Sequence, residues 1–148
     1  MKNLRYFLLT FFVLFQSFAF AEDAAKEVVA PQAPPSELIS PRATLGMFLE
    51  AMSDAKAGEK KRVEDAIKAL DLSAVNALVR RERGPTLAWQ MIEVFDRIGG
   101  IAATNVPEET ELSAVDVRRF KQGVVRLQKQ TDGRWLFDAR SIEIIPIV

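Results

Sequence analysis

The spacing of apolar residues changes once along this chain, from a helical rhythm of threes and fours to the alternation of a strand, and that change limits its fold more than any other feature. Leu45, Phe48, Leu49 and Met52 recur at i, i+3, i+4 and i+7, with Ser40 placed to cap the helix and Pro41 to occupy its first position. After a break at Ala57-Gly58, Val63, Ala66, Ile67 and Leu70 repeat the spacing. Asp71-Leu72-Ser73 predicts the end of that second helix and the start of a third, capped by Ser73, with Val75, Leu78 and Val79 facing inward. Gly84-Pro85 predicts a stop and then a longer fourth helix, whose stripe of Leu87, Met91, Val94, Phe95 and Ile98 runs to Gly99-Gly100.

The period becomes two at Gly123. Val125 and Leu127 share one face, Val124, Arg126 and Gln128 the other. Thr131-Asp132-Gly133 is a turn signal, and Arg134, Trp135, Leu136 and Phe137 return as a second strand. Asp138 is placed to cap a short final helix over residues 139–145 that buries Ile142 and Ile145 and stops at Pro146. Between the two regimes, residues 101–106 read as an extra strand or extended segment, 107–111 as an acidic loop, and 115–120 as a strand or a helical turn. The expected fold is therefore mainly α within the α+β class: about four amphipathic helices, then a small antiparallel β-hairpin and a short C-terminal helix.

The N-terminus carries Lys2 and Arg5, an apolar run from Tyr6 to Phe15, and Ala19-Phe20-Ala21 ahead of acidic residues, the pattern of a secretory signal peptide cleaved after Ala21. An uncleaved anchor fits less well, because residues 6–21 number only 16 and include Thr10, Gln16 and Ser17, whereas a spanning helix needs roughly 20 apolar residues. Residues 22–39 hold three of the seven prolines without sustained periodicity and read as a flexible tether. The expected organisation is a signal peptide over 1–21, a proline-bearing tether over 22–39 and a single globular domain over 40–148, located in a bacterial periplasm and without a membrane span after cleavage.

Removal of the signal leaves 18 basic against 20 acidic residues, a near-neutral balance that gives no field to attract nucleic acid or an anionic membrane. Cysteine and histidine are both absent, which excludes thiol nucleophiles, Ser-His-Asp triads and ordinary zinc sites. The remaining candidates each have a plainer reading. Glu108, Glu109 and Glu111 offer hard oxygen ligands but lack the spacing of a calcium loop. Arg80, Arg81 and Arg83 can clamp an anion, yet at the expected end of a helix they serve its negative pole. Lys60, Lys61 and Arg62 lie opposite an apolar stripe, as a solvated face does. Asp138 beside Trp135 has the surroundings of a general acid but the position of a helix cap. Trp89 and Trp135 can form a ligand wall, although tryptophans in so small a domain usually pack its core, and Trp89 falls off the main stripe of its helix. The residues thus assign no catalytic, cofactor or metal site and leave the binding residues unknown.

The order of motifs resembles one family. SPRATLGMFLEAM, LDLSAV, MIEVFDRIGGIAATNVPEE and GVVRLQKQTDGRWLFDARSIEIIP are similar, in sequence and spacing, to the extracytoplasmic N-terminal domain of small-conductance mechanosensitive (MscS-type) channel proteins. The matching positions are Ser40 to Thr44, Leu70 to Ser73, and Gly133, Trp135, Phe137, Ile145 and Pro146. Those channels continue past Ile-Pro into transmembrane helices and a cytoplasmic β domain, which this sequence does not contain. The resemblance therefore implies domain identity and a non-catalytic sensory or regulatory role through protein contact, with an envelope or inner-membrane protein, such as a channel pore subunit, as partner. A small exported domain of the nuclear-transport-factor-2-like fold, binding a ligand beneath a curved sheet, is the alternative. That fold requires four or more strands between residues 101 and 137.

Overall fold

The structure is a computed structural model that describes residues 33–109 and 111–147. The expected signal peptide and most of the expected tether lie outside these residues. The first long helix, α1 (Pro41–Ala57), starts where Ser40 accepts a hydrogen bond from the Ala43 amide and ends at Gly58, whose φ of 118° is open to glycine. A single 3-10 turn at Lys60–Arg62 leads into the short α2 (Val63–Ile67). The other long helix, α3 (Arg80–Arg97), is followed by a 3-10 turn at Ala103–Asn105. Three antiparallel strands, β1 (Ala114–Arg119), β2 (Val124–Lys129) and β3 (Trp135–Phe137), form a sheet in the order β1-β2-β3. Helix α4 (Ala139–Ile144) and a 3-10 turn at Ile145–Ile147 close the described chain. The fold is α+β, with helices first, antiparallel strands next and a short helix last.

The core forms where α1, α3 and the sheet meet. Phe48 of α1 packs edge-on against Phe137 of β3 at 5.3 Å between ring centroids and against Phe95 of α3 at 6.2 Å, spacings at which aromatic quadrupoles attract. The sheet supplies its inner face by register: Val115 pairs with Leu127 and Leu127 with Phe137, and Val125 and Leu127 are fully buried, as their alternation predicts. Strand β3 has only three residues, but both its edges are bonded. Its outer edge exchanges backbone bonds with the segment after α2, Phe137 N–H to Ala69 O at 2.8 Å and Asp71 N–H to Phe137 O at 2.9 Å.

Where β3 ends, α4 takes over the edge of β2. Asp138 N–H donates to Arg126 O at 3.0 Å, and the buried Ser141 hydroxyl accepts from Arg126 N–H at 2.7 Å. Asp138 caps α4, as its position predicts, by accepting from the Ser141 amide at 2.7 Å. Ile142 and Ile145 are buried behind it.

Four expectations are corrected. Residues 72–79 form successive turns and not a third helix, and Leu78 and Val79 are exposed instead of facing inward. Gly84-Pro85 lies inside α3 and stops nothing. Gly84 is buried because α2 and the 72–79 segment approach it closely: a Cβ there would stand 3.3 Å from Ile67 Cγ2 and 3.4 Å from Leu72 Cδ1. That glycine is a packing notch, and Pro85, the sixth residue of α3, leaves the Arg81 carbonyl without its helical amide donor. Residues 101–106 contain a 3-10 turn and no strand, while 115–120 largely resolve as β1. Finally, the stretch expected to be tether up to Ile39 is folded at its end, with Leu38 in a 3-10 turn and only 2% exposed.

Candidate interaction surface

The side chains singled out from sequence are mostly occupied in holding the fold. Glu108 pairs with Arg42 at 3.0 Å, and Arg42 Nε also donates to Val106 O at 3.2 Å, so this acid ties the 106–108 loop to α1. Glu109 instead borders a groove of about 390 Å³ with Ser36, Ser40, Lys129 and Trp135, and Glu111 is exposed. Among the described residues no group of three or more carboxylates converges on one point. Lys60 and Lys61 are exposed, whereas Arg62 bonds Asp54 at 2.9 Å and also Asp65. Lys68, and then Arg62, hold the Asp65 carboxyl below its ordinary range. Trp135 is 2% exposed in the core, and Thr44 Oγ1 donates to its carbonyl at 2.9 Å. Trp89 is 37% exposed on α3 and does not line the groove that Trp135 borders. On the sheet, Asp116 bonds Arg126 at 2.7 Å and Arg119 at 2.8 Å. The Arg126 bond leads in lowering its pKa.

The arginine cluster stands elsewhere than expected. With α3 beginning at Arg80, the guanidinium groups of Arg80, Arg81 and Arg83 lie at the positive pole of the helix, which disfavours cations, and not at the negative one. Arg80 offsets that by binding carbonyls of the preceding loop: its Nη2 donates to Val75 O at 3.0 Å and to Ser73 O at 3.5 Å. The loop is further fixed by two side-chain turns, Asp71 Oδ1 accepting from Ser73 N–H at 3.0 Å and Asn76 Oδ1 accepting from Leu78 N–H at 2.9 Å. Backbone bonds from Val75 to Leu72 O and from Val79 to Asn76 O complete it. The result is an ordered ridge that presents Leu78 to solvent at 92% exposure.

A groove runs along each flank of this ridge. One, of about 410 Å³, is lined by Val75, Val79, Leu87, Ile142 and Pro146, with Asp71, Arg83 and Glu143 among them. It lies between the ridge and α4. The other, of about 640 Å³, is lined by Ile67, Leu72, Ala77 and Pro85 with Glu64, Arg80 and Arg81. Both are apolar channels carrying charges of both signs, the composition of a surface that receives apolar side chains within a polar rim. Sequence periodicity missed the ridge because Val75, Leu78 and Val79 mimic a helical stripe. The signals that mark it are Asp71-x-Ser73 and Asn76-x-Leu78, in which a side-chain oxygen competes for the backbone amide two residues on.

No helix among the described residues is long and apolar enough to cross a membrane. No protein-family model, curated protein or solved structure matches this chain.

Proposed function

We propose that this chain is a non-catalytic extracytoplasmic domain that acts by contact with an envelope or inner-membrane protein, as the sensory or regulatory part of a mechanosensitive channel assembly. The groove between the 71–83 ridge and α4 carries this reading. Its apolar walls, Val75, Val79, Leu87, Ile142 and Pro146, come from three separate parts of the fold, and Arg83 and Glu143 offer charges of both signs to a partner's backbone or side chains. Such a site selects a protein segment with one or two apolar anchors flanked by polar groups. The stretches that resemble MscS-type proteins, Leu70 to Ser73 and Ile145-Pro146, lie beside or within the elements that build the groove. The alternative, a ligand enclosed beneath a curved sheet, needs more strands than the three present among the described residues.

The reading is tested by affinity capture of the full chain from detergent-solubilised envelope membranes, comparing it with Val79→Glu. Val79 is already 41% exposed, so the substitution alters the groove without opening the core. Enrichment of an integral membrane protein by the unmodified chain and its loss with Val79→Glu support the proposal. Recovery of a small molecule and no membrane protein favours the alternative.

A further inference from the structure

The crest of the ridge differs from the grooves beside it. Leu78 stands outside both, and Val79, next to it, is half exposed. Leu78 is held on a loop fixed by its own turns and by Arg80, lines neither groove and keeps its apolar surface in water, so covering it releases that surface from hydration. Arg81 and Arg83, three and five residues after Leu78, line one groove each, and neither forms an ion pair among the described residues. Glu82 is the one acid in residues 74–83 and lines neither groove. The other nearby acids, Glu64, Asp71 and Glu143, line the grooves.

We infer that this crest is a membrane-contact point, in which Leu78 inserts into the interfacial layer of an anionic bilayer while Arg81 and Arg83 bind its phosphate headgroups. A convex apolar tip beside unpaired guanidinium groups complements a negatively charged lipid surface, since the leucine leaves water and the cations meet anions at headgroup depth. A protein pocket, by contrast, is better matched by the adjoining grooves. The contact does not rest on the protein-partner reading, although it shares Arg83 with the groove; Leu78 and Arg81 lie outside that groove.

Because the chain has no cysteine, Leu78→Cys introduces a unique labelling site in the full chain. That variant carries a polarity-sensitive fluorophore and is mixed with phosphatidylglycerol-containing or pure phosphatidylcholine vesicles, with Lys121→Cys as a remote control. The expected result is a blue shift at position 78, quenched by lipid-borne quenchers, with anionic vesicles only and no change at position 121. Adding Arg81→Ala and Arg83→Ala is expected to raise the lipid concentration for half-binding roughly thirtyfold, and raised salt to weaken binding. A label at 78 that stays in water, that responds equally to neutral vesicles, or that is desolvated by an envelope protein fraction and not by lipid overturns the inference. Reading the label by position separates this contact from any vesicle binding by the N-terminal apolar run.

Discussion

Replacement of Ser141 by alanine tests how the C-terminal helix is joined to the sheet. The hydroxyl is fully buried, accepts from Arg126 N–H at 2.7 Å, and lies 2.5 Å from Asp138 Oδ1, its nearest acceptor. Alanine removes one oxygen, so the cavity term is small, and its better helix propensity returns about 0.5 kcal/mol. The dominant effect is that Arg126 N–H, beyond the reach of β3, loses its partner at a part-buried position, which costs toward the lower end of the about 1–3 kcal/mol seen for buried donors. The net expectation is a loss of roughly 1 kcal/mol. Asp138→Ala removes the cap and is expected to cost about 0.5–2 kcal/mol alone. Since both residues belong to one network, the double variant should lose less than the sum, by at least about 0.5 kcal/mol. Urea unfolding followed by tryptophan fluorescence measures all three, with the m-value unchanged if only stability moves, and amide exchange at Arg126 should quicken in Ser141→Ala. A single-variant loss below about 0.3 kcal/mol, or strict additivity, would refute the view that α4 closes the edge of β2.

Three further outcomes follow from the packing and the charges. Trp135→Ala should destabilise by about 3–5 kcal/mol, as large aromatic truncations in cores do, and a loss under about 1 kcal/mol would return Trp135 to the surface as a ligand wall. Gly84→Leu should cost at least about 2 kcal/mol because Ile67 and Leu72 already sit where its side chain must go; Gly84→Ala should stay within about 1 kcal/mol, helix propensity offsetting the crowding. Asp65, Asp116 and Asp132 all have lowered folded-state pKa values, led respectively by bonds from Lys68, Arg126 and the Arg134 amide. Their contribution is present above the unfolded value near 3.9 and is lost as pH falls through the lower folded values. It is modest because these carboxylates are substantially exposed. With no histidine in the chain, melting temperature should hold steady from about pH 5.5 to 7 and fall below about pH 4, the fall shrinking in high salt; a step near pH 6 would contradict this.

The parts of the fold legible in the sequence are those set by local chemistry. Ser40-Pro41, Gly58 and Asp138 mark helix ends that the structure reproduces, because a capping oxygen or a left-handed glycine acts within one turn. Burial of Val125, Leu127, Ile142 and Ile145 follows from their spacing. What escaped was decided by distant residues. Gly84 reads as punctuation until Ile67 and Leu72 are seen to fill the space above it. Strand β1 becomes a strand by pairing with β2, its own alternation being interrupted by an irregularity between Asp116 and Arg118. The ridge is held by Arg80 reaching back to Val75 O, and in it Leu78 and Val79, two of the three residues that look like a buried stripe, are exposed. The candidate surface is therefore invisible to periodicity, although its arginines stand out in the sequence.

The groove beside α4 is tested most directly by a photoreactive residue introduced in place of Glu143, within the groove, and separately in place of Lys121 on the turn between β1 and β2, with irradiation in intact cells. The predicted result is a covalent adduct with an integral membrane protein from position 143 that is missing from position 121. No adduct at 143, or identical adducts from both positions, would contradict a protein partner at this site.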